Sequence, residues 1–135
     1  MSKLGHAESF RDLIVYKNAR KLARSIFEIT KTFPKEEMYS LTDQVRRSSR
    51  SIGAQIAEAW AKRRYKKHFV SKLTDADGEQ QETQHWLETA EDCGYLRPDQ
   101  TQKLNSEASE IGRMINSMIN KAGIFCDKRV SVTDD

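Results

Sequence analysis

Apolar residues recur along most of the chain at alternating steps of three and four, the spacing that places them on one face of an α-helix. Four segments follow this pattern, at about residues 12–32, 40–62, 65–93 and 98–122. Their apolar faces are Val15, Ala19, Leu22, Ile26, Ile29 and Phe33; Leu41, Val45, Ser49, Ile52, Ile56 and Trp60; Phe69, Leu73, Ala76, Gln80, Thr83, Leu87 and Ala90; and Leu104, Ala108, Ile111, Ile115, Met118, Ala122 and Phe125. The sequence lacks the alternating runs that indicate strands, so an all-α fold is predicted.

Helix-breaking and helix-capping residues fall between these segments. Pro34 and Pro98 lie in two of the gaps, Ser40 with Asp43 resembles a capping box, and Gly94 is a typical C-terminal stop. Short connections force consecutive helices to run in opposite directions. We therefore predict one antiparallel up-down-up-down four-helix bundle at residues 10–125, with a flexible N-terminal segment at 1–9 and a flexible tail at 126–135.

Two features of the predicted helix faces depart from a simple apolar stripe. A row of small residues on the second helix, Ser49, Gly53, Ala57 and Ala61, predicts close approach of another helix, within the subunit or between subunits. On the third helix, Gln80 and Thr83 interrupt the stripe. This second feature predicts either a looser core or a different interface.

The charges are divided unevenly along the chain. The chain has 135 residues, with 23 Lys and Arg, 20 Asp and Glu, and a net charge of +3. Residues 1–72 hold 17 basic and 7 acidic side chains, and residues 73–135 hold 6 basic and 13 acidic ones. Such asymmetry indicates a nucleic-acid surface, a membrane surface or complementary self-association.

The basic excess is densest between the second and third helices. Residues 46–72 hold nine basic side chains and one acid, Glu58, and the motif KRRYKKHF places cations around an aromatic ring. Lys and Arg can neutralise phosphates while Tyr offers a stacking face. The candidate nucleic-acid-binding residues are Arg46, Arg47, Arg50, Lys62, Arg63, Arg64, Tyr65, Lys66 and Lys67. The same cations are also consistent with solvated helix ends, or with pairing to the acids that begin at Asp75.

The residues that enzymes and metal sites require are not arranged in a recognisable pattern. The six glycines form no phosphate-binding motif, and Ser48, Ser49 and Ser51 have no partner histidine by sequence pattern. Glu82 and His85 are three residues apart, but a di-iron bundle needs a second such pair. Arg47, Ser51 and Glu58 share a helix face, which predicts a structural polar cluster. No enzyme activity, cofactor or metal is expected.

Two further features bear on location. The cysteines, Cys93 and Cys126, are too few for a zinc site and are expected to be free thiols. No stretch approaches the roughly 18 apolar residues of a membrane span, and the N-terminus lacks the apolar region of a signal peptide. A soluble, cytoplasmic protein without membrane partners is expected.

The motif Phe33-Pro34-Lys35-Glu36-Glu37, followed by Gln44-Val45-Arg46-Arg47 and Ile56-Ala57-Glu58, resembles a known family. This is the four-helix bundle protein family found as reading frames inside intervening sequences of bacterial 23S ribosomal RNA genes. Further matches are Phe10, Leu13, Phe69, Gly78, Glu82 and Gly94-Tyr95-Leu96. Two departures are Ala59, where the family usually has glycine, and the polar pair Gln80 and Thr83.

The resemblance implies a homopentameric ring of four-helix subunits without known catalytic activity. The family is also remotely similar to the accessory protein of diversity-generating retroelements, which binds nucleic acid and a reverse transcriptase. Two functional hypotheses follow. In the first, the basic surface binds RNA, DNA or a ribonucleoprotein; in the second, the basic and acidic faces are used for ring assembly without nucleic-acid binding.

Overall fold

Four long helices form the body of the molecule. The computed structural model describes residues 7–126. In this range the helices are α1 (Ile14–Thr30), α2 (Leu41–Ala61), α3 (Lys66–Asp92), α4 (Pro98–Asn120) and the single turn α5 (Ala122–Phe125), with 3₁₀ turns at Phe10–Asp12 and Lys35–Glu37. Consecutive helices pack together, and α1 also contacts α4. The predicted all-α four-helix bundle is therefore confirmed.

The bundle core is built from the predicted stripes. Buried side chains include Leu22 and Ile26 from α1, Ile52 and Ile56 from α2, Phe69, Leu73 and Leu87 from α3, and Ile111 and Ile115 from α4. The turn α5 continues the α4 stripe, because the Phe125 ring lies against that of Phe69 with 5.8 Å between their centroids. The 3.6-residue periodicity thus identified both the helices and the faces that they bury.

The helix ends agree with the sequence prediction in one place and differ from it in another. Gly94 has φ +81°, and the amides of Gly94 and Tyr95 donate to the carbonyls of Glu91 and Ala90. This is a Schellman ending of α3. The predicted Ser40 capping box is wrong, because the Ser40 side chain makes no capping hydrogen bond. Instead, the amide of Leu41 donates to Oε1 of Glu37 at 3.3 Å.

The polar residues within the α3 stripe are buried and hydrogen-bonded. Gln80 is 5% exposed, and its amide donates to Oδ1 of Asp77 at 2.9 Å while accepting from Gln84 at 2.7 Å. Thr83 is fully buried against α2. Hydrogen-bonded partners remove most of the penalty of burying these polar groups. The polar positions are therefore part of the core of the subunit.

Both segments that were predicted to be flexible lie at the ends of the chain. The flexible segments predicted at 1–9 and 126–135 fall largely outside the described residues. Of the described ones, Ser9 caps the first 3₁₀ turn, with its hydroxyl accepting from the amide of Arg11 at 3.2 Å.

Among residues 7–126, no helix has the length and apolar character needed to cross a membrane.

Candidate nucleic-acid interface

The two charge populations lie on opposite sides of the bundle. Residues 7–65, which include α1 and α2, hold 13 basic and 7 acidic side chains. Residues 66–126, which include α3 and α4, hold 7 basic and 10 acidic ones. In a bundle where neighbours in sequence are neighbours in space, the α1/α2 pair lies across the core from the α3/α4 pair. The asymmetry along the chain thus becomes an asymmetry between two faces.

Arg46, one of the predicted phosphate ligands, is committed to the fold. Its Nε donates to Oγ1 of Thr30 at 2.8 Å, and its Nη2 donates to the carbonyl of Phe27 at 3.4 Å. Its guanidinium also lies 4.7 Å from the centroid of the Phe27 ring. Because these contacts join α2 to the C-terminal turn of α1, Arg46 acts mainly in helix packing.

The next two predicted arginines are exposed. The Arg50 guanidinium lies 5.5 Å from the centroid of the Phe27 ring on the α1 side. Arg47 is on the α3 side, where its positive charge affects Glu79. Partial burial raises the pKa of Glu79, the negative charge of Glu82 adds to this effect, and Arg47 opposes it. The two arginines therefore point toward different neighbouring helices.

The connection between α2 and α3 gathers the remaining predicted residues at one end of the bundle. We call Lys62, Arg63, Arg64, Tyr65, Lys66 and Lys67 the connection patch. Arg63 stacks on Trp60, with 3.6 Å from its guanidinium carbon to the ring centroid, and its Nε donates to the Trp60 carbonyl at 2.9 Å. Arg64, Tyr65 and Lys67 are exposed. The patch therefore presents cations and an aromatic ring together.

Glu58, predicted to form a polar cluster with Arg47 and Ser51, has its closest charged partner on another helix. Arg47 and Glu58 share a face but are eleven residues apart, which is about 16 Å along a helix axis. Glu58 instead accepts an ion-pair contact from Nζ of Lys72 on α3 at 2.8 Å. This hydrogen bond and the positive charge of Lys72 lower the pKa of Glu58. The acid therefore links α2 to α3.

The first residues of the small-residue row on α2 pack against another helix of the same subunit. Ser49 and Gly53 are buried, Ala57 is half-buried and Ala61 is exposed. A Cβ atom at Gly53 would lie 3.5 Å from Cε1 of Tyr16 and 3.9 Å from Cβ of Ala19, both on α1. The first half of the row therefore packs against α1, and the second half extends beyond this contact.

A groove between α1 and α2 contains the predicted Arg50 and two basic residues that the sequence pattern did not single out, Arg20 and Arg24. This α1/α2 groove encloses about 440 Å³, and Arg20, Arg24 and Arg50 are among its lining residues. Arg20 and Arg24 are four residues apart and so lie on one face of α1. Their spacing is visible in the sequence, but the position of α2 beside them is not.

No cluster of three or more potential metal ligands occurs in the described part of the chain. The Glu82 and His85 pair is not arranged as a ligand set. Oε2 of Glu82 accepts a hydrogen bond from Nε1 of Trp86 at 3.0 Å, and the His85 ring packs against the Trp86 ring at 4.7 Å. Both residues thus have ordinary helix-surface contacts.

Comparisons with known proteins give a consistent result. The family model described as 23S rRNA-intervening sequence protein matches residues 11–117. Among solved structures, a protein of unknown function from the S23 ribosomal protein family of Bacteroides thetaiotaomicron is 30% identical, with a TM-score of 0.72. The match covers 79% of this chain and 96% of that one. No functionally curated protein matches.

Proposed function

Because the chain belongs to the 23S rRNA-intervening sequence protein family, we propose that it is a non-enzymatic, homo-oligomeric bundle that binds nucleic acid or a ribonucleoprotein. The names of this family and of the S23 ribosomal protein family both refer to the ribosome. The observation that carries the proposal is the segregation of positive charge onto one face and one end of the bundle. A pentamer is the assembly that we propose, on the family resemblance.

The connection patch is the part of this surface best suited to phosphates. Arg64 and Lys67 are exposed there, and Tyr65 is 38% exposed. The Arg64 guanidinium lies 5.8 Å from the centroid of the Tyr65 ring, so a cation and a stacking face are adjacent. Neutralising phosphates with such side chains releases counterions and favours binding without sequence preference.

The test compares two variants that remove the same charge from opposite faces. In K62Q/R64Q/K67Q three cations leave the connection patch, and in K103Q/R113Q/K121Q three leave the α4 side. Binding of labelled ribosomal RNA fragments is measured by fluorescence anisotropy at about 50 and 200 mM salt. We expect steep salt dependence for the natural chain and a slope lowered by about 0.7 for each lost contact to a single strand in the first variant.

The controls decide between a specific face and overall charge. The α4-side variant has the same net charge and is expected to bind nearly as well as the natural chain. Equal loss in both variants would show that net charge alone causes the binding. Failure of the natural chain to bind any fragment at low salt would refute the proposal.

A second function is favoured by the opposite charges of the two faces. If the α1/α2 face of one subunit met the α3/α4 face of the next, a head-to-tail contact would form, and such contacts close into rings when the rotation permits. The protein would then be an interaction module that does not bind nucleic acid. Because Arg46 stabilises the subunit, the suitable charge reversal is R50E with R64E. Dissociation of this variant in light scattering, with no RNA binding by the natural chain, would support this function.

A further inference from the structure

The α1/α2 groove combines features that single-stranded nucleic acid requires, and we propose that it is a binding site for a short single-stranded segment. This inference rests on the proposed function but concerns a different surface from the connection patch. It names the class of ligand, a single strand with unpaired bases, and the residues that would hold it.

The groove is open because its floor is made of small side chains. Ala23 of α1 and Gly53, Ala54 and Ala57 of α2 are among its lining residues. Its volume of about 440 Å³ lies within the range of sites that hold small organic ligands. Groups of the size of one or two bases can therefore lie in the groove, above the line where Gly53 packs against α1.

The charge of the groove suits a phosphate backbone. Arg20 and Arg24 are exposed on α1, about 6 Å apart along the helix axis, and Arg50 is exposed on the α2 side. None of the described residues that line the groove is acidic. The three arginines can contact successive phosphates from both sides while the bases face inward, and guanidinium forks suit phosphate oxygens.

Aromatic rings lie at both ends of the groove. Tyr16 and Phe27 are half-buried on α1, eleven residues or about 16 Å apart along the axis. The Tyr16 ring is held against Phe10, with 4.8 Å between the centroids. The cationic groups of Lys31, Arg46 and Arg50 lie 4.9, 4.7 and 5.5 Å from the centroid of the Phe27 ring, so at that end a base would stack on the exposed Arg50 guanidinium rather than on the ring.

The accessibility of the bases favours single strands over duplexes as the ligand of this groove. In a duplex the bases are stacked and paired inside, and only their edges are accessible through the grooves. A single strand can turn its bases outward and stack them on aromatic or guanidinium planes. Only an unpaired strand can place bases on the small-residue floor while its phosphates reach the arginines.

A substitution that fills the groove without changing charge tests this inference. Ala54 is an exposed α2 residue in the groove lining, and leucine is a good helix former, so A54L is expected to fold. The control S106L adds the same side chain to an exposed position of α4. Binding of an unstructured RNA oligonucleotide and of a duplex of the same length is measured for both, together with the oligomer mass.

We expect A54L to weaken single-strand binding roughly tenfold, the order expected for one lost stacking contact, while duplex binding and oligomer mass stay unchanged. The charge variant R20Q/R24Q is expected to weaken single-strand binding as well. S106L is expected to behave like the natural chain in all three measurements.

Two results would overturn the inference. If A54L and R20Q/R24Q bind the single strand normally while K62Q/R64Q/K67Q does not, nucleic-acid binding stands but the groove is not its site. If A54L lowers the oligomer mass, the groove is a contact between subunits. Absence of RNA binding by the natural chain would instead refute the proposed function itself.

Discussion

Thr83 on α3 and Ser48 on α2 face each other in the core, with their hydroxyl oxygens 2.9 Å apart. Both side chains are buried, at 0% and 3% exposure. Oγ1 of Thr83 also lies 2.8 Å from the Glu79 carbonyl oxygen, and Oγ of Ser48 lies 3.3 Å from that of Val45. The two hydroxyl hydrogens can fill two of these three contacts at a time, so one backbone carbonyl accepts while the hydroxyls bond to each other. The pair joins the two helices at the point where the apolar stripe of α3 is interrupted.

Removing either hydroxyl of this pair should destabilise the subunit. T83V keeps the shape of the side chain and is expected to lower the free energy of unfolding by about 1 kcal/mol, as is S48A, since each loses a buried hydrogen bond. Because both substitutions break the same contact, the double variant should lose less than the sum of the two. Urea denaturation at one fixed protein concentration measures all three. Strict additivity would show that the hydroxyls do not interact.

Arg46 and Arg47 are adjacent in sequence but should respond differently to substitution. R46M removes the hydrogen bonds to Thr30 and Phe27. Because hydrogen bonds from charged donors contribute about 1.5 to 3 kcal/mol, the free energy of unfolding should fall by about that amount. R47Q changes an exposed residue and should leave stability within about 0.5 kcal/mol. Thermal and urea unfolding measure both. A loss in R47Q as large as that in R46M would contradict the assignment of Arg46 to helix packing.

Two helical glycines should respond in opposite directions to the same substitution. Gly78 has no neighbouring atom within 4 Å of an added Cβ, so G78A should stabilise by roughly 0.5 to 1 kcal/mol through helix propensity. At Gly112 the added Cβ would lie 2.7 Å from Nε2 of the buried Gln80. G112A should therefore destabilise the subunit, and Q80A should partly restore it. If the unfolding midpoint of G112A equals or exceeds that of the natural chain, the Gln80 side chain can move away without cost.

The Tyr95 hydroxyl donates to Oε2 of Glu37 at 2.9 Å, which joins the α3/α4 connection to the turn before α2. This hydrogen bond to a carboxylate, with some burial, raises the pKa of Tyr95 to about 12. A raised folded-state pKa gives stability that is present below the ordinary pKa of about 10 and is lost as pH rises to about 12. The stability difference between the natural chain and Y95F should therefore shrink between pH 10 and 12.

Absorbance titration of the tyrosinates checks the same hydrogen bond directly. The chain has four tyrosines. In the natural chain one of them should ionise later than the rest, and this late step should disappear in Y95F and move to lower pH in E37Q. Y65F, at an exposed tyrosine, is the matched control and should retain the late step. A late step that survives in Y95F would assign the shifted pKa to another residue.

Much of the fold was predictable because its determinants are local. The steps of three and four identified the helices, and Gly94 identified the end of α3 because its backbone conformation is rarely open to other residues. The Ser40 cap was not predictable in the same way. The carboxylate of Glu37, in a 3₁₀ turn, accepts from the amide of Leu41 at the start of α2, in place of a cap from Ser40. The sequence does not show that this turn places Glu37 beside that amide.

The candidate site was only partly predictable, because its members come from different helices. The connection patch is contiguous in sequence, so the sequence alone indicates it as a candidate. The α1/α2 groove places Arg20 and Arg24 beside Arg50, and Glu58 forms its ion pair with Lys72. Both arrangements bring together residues that are far apart in the chain. Such contacts depend on how each helix is rotated and which neighbour it packs against.

The sequence by itself determined the four amphipathic helices, their buried faces and the separation of positive from negative charge along the chain. These depend on periodicity and composition, which can be followed within one helix at a time. The tertiary structure decided which cations are used in packing, as Arg46 is, and which line an open groove, as Arg20, Arg24 and Arg50 do. The physical reason is that burial and hydrogen bonding between helices are set by close packing of side chains from distant positions.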